Sequence, residues 1–166
     1  MRNLFFSLLA GLILMACNGK QPQQGEQMLR QLNEQQASLL VYNHDSLSDY
    51  HQRGVRDLLM LVQDEPERLQ GATVADKMVG KASAALMVIG GVREVHTNII
   101  CTPAKQLFQT AGVQVFFTEE VPYIINRAKT GQCPLDSRLS EVNDAAACLP
   151  IIADFYAQLD SGQLVL

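Results

Sequence analysis

The sequence lacks the features that most quickly assign a chain to a class. It has no uninterrupted apolar run of the roughly 20 residues needed to cross a bilayer core. The longest candidate, Leu4 to Ala16, is relieved by Ser7 and Gly11 and stops at Cys17. Basic residues are not in surplus: 13 Lys and Arg stand against 17 Asp and Glu, for a formal charge of -4. That balance argues against a nucleic-acid binder, whose affinity would rest on a basic surface. Internal repeats and low-complexity tracts are also missing, so about 140 residues after the front segment form one ordinary domain with a single core. An apolar content of 48% and a charged content of 18% suit a globular domain of that size.

What is present begins with an export signal. Arg2 supplies a positive charge and the short apolar run follows it, a build that engages the secretion machinery. Leu14-Met15-Ala16-Cys17 resembles the lipobox of bacterial lipoproteins, with Met15 where a smaller residue is more usual. The resemblance implies removal of residues 1–16 and lipidation of Cys17, hence a membrane partner reached through that residue. Residues 17–26 then form a polar tether containing Gly and Pro, too poor in apolar side chains to fold alone, and residues 27–166 form the domain. The tether has no acidic residue before Glu26. On this reading the protein is lipid-anchored in the cell envelope, on the periplasmic face of the outer membrane.

Glu26 to Gln36 carries Met28, Leu29 and Leu32 at helical spacing. Ser38 to Tyr42 and Leu47 to Arg53 predict two strands joined by the turn-forming Asn43-His44-Asp45-Ser46, a hairpin at the front of the domain. Val55, Leu58, Leu59 and Val62 predict a helix ending near Pro66. Ala72 to Ala75 predicts a buried strand, with Asp76 as the N-cap of a helix over Lys77 to Ile89. Residues 82–89 of that helix have almost no polar side and are expected to be buried. Gly90-Gly91 ends it. Val95 to Cys101 and Val113 to Phe117 predict two more strands, separated by a helix that opens at Thr102 or Pro103 and stops at Gly112. Alternating strands and helices with short connections imply parallel neighbours. Tyr123, Ile124 and Ile125 are expected to pack in a loop-rich tail. Cys148, Ile151, Ile152, Phe155 and Leu159 predict a last helix, which Pro150 either starts or kinks.

This order of elements resembles the cytidine deaminase fold, a three-layer α/β sandwich around a five-stranded mixed sheet with an N-terminal hairpin. Three stretches are similar to an uncharacterised family of deaminase-like domains: Asp76-Lys77-Met78-Val79-Gly80-Lys81-Ala82, Gly90-Gly91-Val92, and Asn126-Arg127 with Gly131-Gln132-Cys133-Pro134. The likeness covers roughly Met28 to Arg138. A zinc deaminase needs His or Cys with Glu at one helix start and Pro-Cys-x-x-Cys at the next. Here those places read Lys81-Ala82-Ser83 and Cys101-Thr102-Pro103-Ala104-Lys105. One thiol and no proton-shuttling carboxylate remain, and neither His44, His51 nor His96 is placed to repair the set. The resemblance therefore implies a domain without zinc hydrolysis and without a metal or other cofactor.

Other residues still admit chemistry. Asp76, Lys77, Gly80 and Lys81 gather where a helix begins beyond the carboxyl end of a strand, a usual ligand mouth in α/β sheets. Free amides and two lysines suit a small anionic ligand; alternatively Asp76 only caps the helix and the lysines reach out to solvent. Asn126 and Arg127, with Tyr123, suit a lid over such a pocket or a tail packed for stability. Cys101, before a helix and near a lysine, is expected to have a lowered thiol pKa. Cys101 and Cys133 are either a reactive pair, a disulfide or two buried residues, and Cys148 belongs to the core. Two readings result. The first is a non-catalytic domain binding a small anion or a partner. The alternative is a thiol enzyme using Cys101 or Cys133 with Lys81 as activator.

Overall fold

A computed structural model of the chain describes residues 21–164. Helix α1 (Gln21–Glu34) precedes the hairpin of β1 (Leu39–Asn43) and β2 (Ser46–Tyr50). The hairpin turns on His44 and Asp45, both at positive φ (48° and 58°), the backbone that matches the twist of a two-residue connection. Helix α2 (Arg56–Asp64) and a single 3-10 turn at Pro66–Arg68 lead to β3 (Thr73–Val79). Then follow α3 (Lys81–Ile89), β4 (Glu94–Cys101), α4 (Thr102–Ala111), β5 (Gln114–Val121), the short α5 (Pro134–Arg138) and α6 (Ala145–Asp160). Gly112, at φ 73°, closes α4 in the left-handed conformation that glycine adopts without a side-chain clash.

The sheet has five strands in the order β2-β1-β3-β4-β5. β1 runs antiparallel to both its neighbours, while β3, β4 and β5 run parallel. The α/β class, the mixed five-stranded sheet and the leading hairpin are those the sequence implies.

Alternation along the strands sends adjacent side chains to opposite faces. Val41, Val74 and Val95 enter the larger core with Leu58, Leu61, Leu86, Phe108, Ile152 and Phe155. Leu40 and Ala75 join Met28, Leu32 and Ala37 in a smaller cluster that seats α1 on the other face. Residues 81–87 of α3 are all buried, and the helix lies against both α4 and α6. Its run of Ala and Ser permits that close approach.

Several boundaries differ from the sequence reading. α1 starts at Gln21, inside the stretch read as tether, because Met28 and Leu32 anchor a longer helix against the sheet. β3 continues through Asp76 to Val79, where a helix was expected from Lys77. Pairing on both sides holds it extended: Asp76 lies opposite Leu39 on β1, and Met78 and Val79 lie opposite Ile99 and Ile100 on β4. β5 likewise runs to Val121, in register with Cys101. Ile124 is buried as expected, whereas Tyr123 and Ile125 are 46% and 58% exposed. Pro150 lies inside α6, which Asp144 caps by accepting the Ala147 amide at 3.0 Å.

Beneath α1 the sheet buries a polar pair. His96 Nε2 and Glu94 Oε1 are 2.7 Å apart, and both residues are 1% exposed. The second oxygen, Glu94 Oε2, is buried and has no hydrogen-bond partner among the described residues. The His96 ring stacks on Phe116 with centroids 4.7 Å apart. Gly25 of α1 lies directly over that ring, since a Cβ there would be 2.0 Å from Nε2.

Candidate functional site

The entrance to α3 is where the sequence places a ligand mouth. Gly80 precedes it in extended conformation (φ -90°, ψ 178°), turning the chain from strand to helix. The free amides at this end are not open. Asp136, on α5, accepts the Ala82 N–H at 3.1 Å through Oδ1. A Cβ on residue 80 would lie 2.3 Å from Asp136 Oδ2, so glycine is what lets the carboxylate seat itself. The protein thus fills with its own side chain the position a helix N-terminus offers to an anion. Burial pushes the Asp136 carboxyl above its ordinary range, opposed by the amides of Ala82 and Lys81 and by the Lys81 charge.

Lys81 is only 5% exposed. Its ammonium donates to the Ser140 carbonyl at 3.0 Å, so it pins the C-terminal tail and does not reach into solvent. Cys101 ends β4 at the adjoining entrance to α4 and is 2% exposed. The lowered thiol pKa expected from the sequence is not found. Burial pushes the Cys101 thiol up to about 11, and the Asp136 charge adds to the rise, against the amides of Ala104 and Lys81. Desolvation of a thiolate outweighs the helix amides here. Cys133 is half-buried at the start of α5, and its thiol is also raised, first by burial. Both thiols are free, as is that of Cys148, which is buried in the larger core.

Lys81, Cys101 and Cys133 therefore do gather, with Asp136 as the group that acts on each. The other expected site residues lie elsewhere. Asp76 caps no helix: it sits within β3, where its Oδ1 accepts the Met78 amide at 3.1 Å. Burial raises its carboxyl to about 7, against the Met78 amide and the neighbouring Lys77 charge. Lys77 is half-buried on the same strand. Asn126 builds a turn, accepting the Thr130 amide at 3.0 Å. Arg127 is exposed in that turn. Cys17 lies outside the described residues. A shallow hollow of about 180 Å3 beside the two helix entrances is lined by Lys81, Pro103, Gln106, Leu107, Thr110 and Asn143. Among the described residues no three His, Cys, Asp or Glu side chains gather in an arrangement that could hold a metal ion.

Asp136 and Ser140 escaped the sequence reading. Pro134 at the first turn of a short helix is a local signal for α5, but nothing local joins Asp136 to Ala82, 54 positions away. The contact is testable. Gly80→Ala should drive the carboxylate off the helix end and lower stability by about 1 kcal/mol, the usual worth of a cap. Urea unfolding of the two forms measures this, and equal midpoints would mean that the close approach has no energetic role.

Fold and site together define an α/β domain of mixed five-stranded sheet whose principal helix entrance is closed by its own carboxylate. Over residues 27–156 the chain matches the family described as TM1506, domain of unknown function (DUF1893), and it belongs to that family. It is similar to the crystal structure of a DUF1893 family protein (TM1506) from Thermotoga maritima. The two share 25% sequence identity with a TM-score of 0.70, over 78% of this chain and 87% of that one. No curated protein matches the chain.

Proposed function

We propose that this chain is a lipid-anchored protein of the bacterial cell envelope whose deaminase-like domain performs no zinc hydrolysis and serves as a partner-binding module. The single observation that carries the reading is the seat of Asp136 on the α3 amides. In a zinc deaminase the two adjoining helix entrances supply three metal ligands and a proton-moving glutamate. Here they supply the Cys101 thiol, the Asp136 carboxylate and the tail-bound Lys81. The strand order, with an antiparallel hairpin leading a parallel trio, supports the deaminase-like description. The same seat weighs against a small anion as the ligand, because the protein's own carboxylate already takes that position. Raised, buried thiols weigh against catalysis through Cys101 or Cys133.

The reading is tested on protein extracted from the membranes of expressing cells. Mass spectrometry should find a mature chain beginning at a lipid-modified Cys17, and Cys17→Ser should abolish the modification. Metal analysis should find zinc well below one equivalent. Iodoacetamide at pH 7 should label Cys101 and Cys133 slowly in the folded protein. Stoichiometric zinc, or rapid labelling that phosphate slows, would return the domain to the enzymes.

A further inference from the structure

The front end of α1 and the outer edge of the sheet lie side by side. Gly25 presses on His96, and His96 stacks on Phe116 of β5. Gln21 opens α1 about one turn, or roughly 6 Å, before Gly25. Cys17 stands four peptide units earlier, a stretch that spans at most about 14 Å when fully extended. A lipid on Cys17 therefore brings this end of the helix, and Phe116 with it, close to the bilayer surface.

β5 is the last strand of the sheet, paired on one side by β4. It presents Phe116, 42% exposed, and Phe117, 37% exposed, to opposite faces. The strand, QVFFTEEV, contains no lysine or arginine. The nearby ammonium of Lys105 is held by Glu120 at 2.6 Å and lies 5.4 Å from the Phe117 ring centre. The ledge is thus aromatic, with Glu120 paired to Lys105 and the exposed Glu119 leaving a net negative charge, which fits a neutral lipid surface better than one of anionic headgroups.

We propose that the β5 edge, through Phe116 and Phe117, rests on the neutral lipid surface to which Cys17 is tethered. This rests on the lipid-anchored reading above. Contact is confined to the interfacial zone, because amides and carbonyls along the outer side of β5 that have no strand partner among the described residues need water or headgroups.

The sequence contains no tryptophan, so a single introduced indole reports its own surroundings. Phe116→Trp and Phe117→Trp probe the two faces of the ledge. Leu47→Trp, at a 39% exposed position on β2, probes the opposite edge of the sheet. Each full-length protein is purified with its lipid and placed in phosphatidylcholine vesicles, with or without acyl-chain-brominated phosphatidylcholine. An indole at 116 or 117 should settle at the interface, as tryptophan does, and lose about half its emission to brominated lipid. The indole at 47 should lose little. Protein that floats with the vesicles yet shows equal, weak quenching at all three positions overturns the docking and leaves the anchor intact. Protein that does not float overturns the anchor and the docking together. Emission at 116 that shifts with protein concentration and ignores brominated lipid assigns the edge to a second copy of the chain, which also overturns the proposal.

Discussion

Replacing His96 by leucine should destabilise the domain by about 3 kcal/mol, because it leaves Glu94 buried with neither oxygen hydrogen-bonded. Oε2 of that carboxylate already has no partner among the described residues, and His96 Nε2 at 2.7 Å supplies the contact to Oε1. The leucine also forfeits the stack on Phe116, an interaction worth about 1 kcal/mol in well-formed pairs. Removing both polar groups is a different operation. With Glu94→Leu and His96→Leu together, no buried polar group is stranded, and apolar replacement of a buried pair is often neutral or better. The double variant should recover most of the loss. Chemical unfolding of the parent, both single variants and the double variant closes the cycle. Additive losses would mean that the two residues contribute independently and that the pair has no energetic identity.

Stability should rise as the solution is acidified from pH 8 to about pH 5, the reverse of the common pattern for carboxylates in ion pairs. Asp76 is the reason. Burial lifts its folded pKa to about 7, against an ordinary value of 3.8. Between those values the folded state holds a proton that the unfolded state has released. Stability therefore increases as pH falls through 7 and levels off below 3.8. Asp136 is raised in the same direction. The carboxylates shifted downward, Asp49, Glu120 and Asp160, are exposed and hydrogen-bonded at the surface to His51, Lys105 and Arg56, and oppose the trend only weakly. Allowing for the partial exposure of Asp76, the gain across the window is about 2 kcal/mol. Asp76→Asn should be more stable than the parent at pH 8, with a flatter profile. Thermal melts at half-unit pH steps decide the matter: a parent that weakens steadily on acidification, in parallel with the variant, would remove Asp76 as the cause.

The parts of the fold legible in the sequence are those governed by local chemistry. Asn43 to Ser46 is turn-forming whatever surrounds it, Gly112 stops α4 by its backbone freedom, and the apolar stripe of α6 has helical period. The stretch from Asp76 to Val79 misleads for the same reason. An aspartate after a β-branched run has the look of an N-cap, and only pairing with β1 and β4 keeps it extended. The site was half legible. Motif position singled out Gly80, Lys81, Cys101 and Cys133, which do share one neighbourhood. Motif position says nothing of Asp136, whose partner lies across the fold. The direction of the Cys101 shift is not legible in the sequence, because helix amides can be read from position along the chain, whereas the depth of burial that overrides them belongs to the packed molecule. For β5, composition identifies a strand but not an outermost one, and only the strand order reveals that Phe116 and Phe117 are left partly uncovered.

The seat of α1 has a mechanical consequence. A load applied at Gln21, where α1 begins, arrives along the helix at the seam where Met28 and Leu32 meet Leu40 and Ala75. Once that seam parts, water reaches Glu94 and His96 and satisfies the oxygen that has no partner among the described residues. Hydration of the pair thus favours the peeled helix, so this face of the sheet yields to tension before the larger core does.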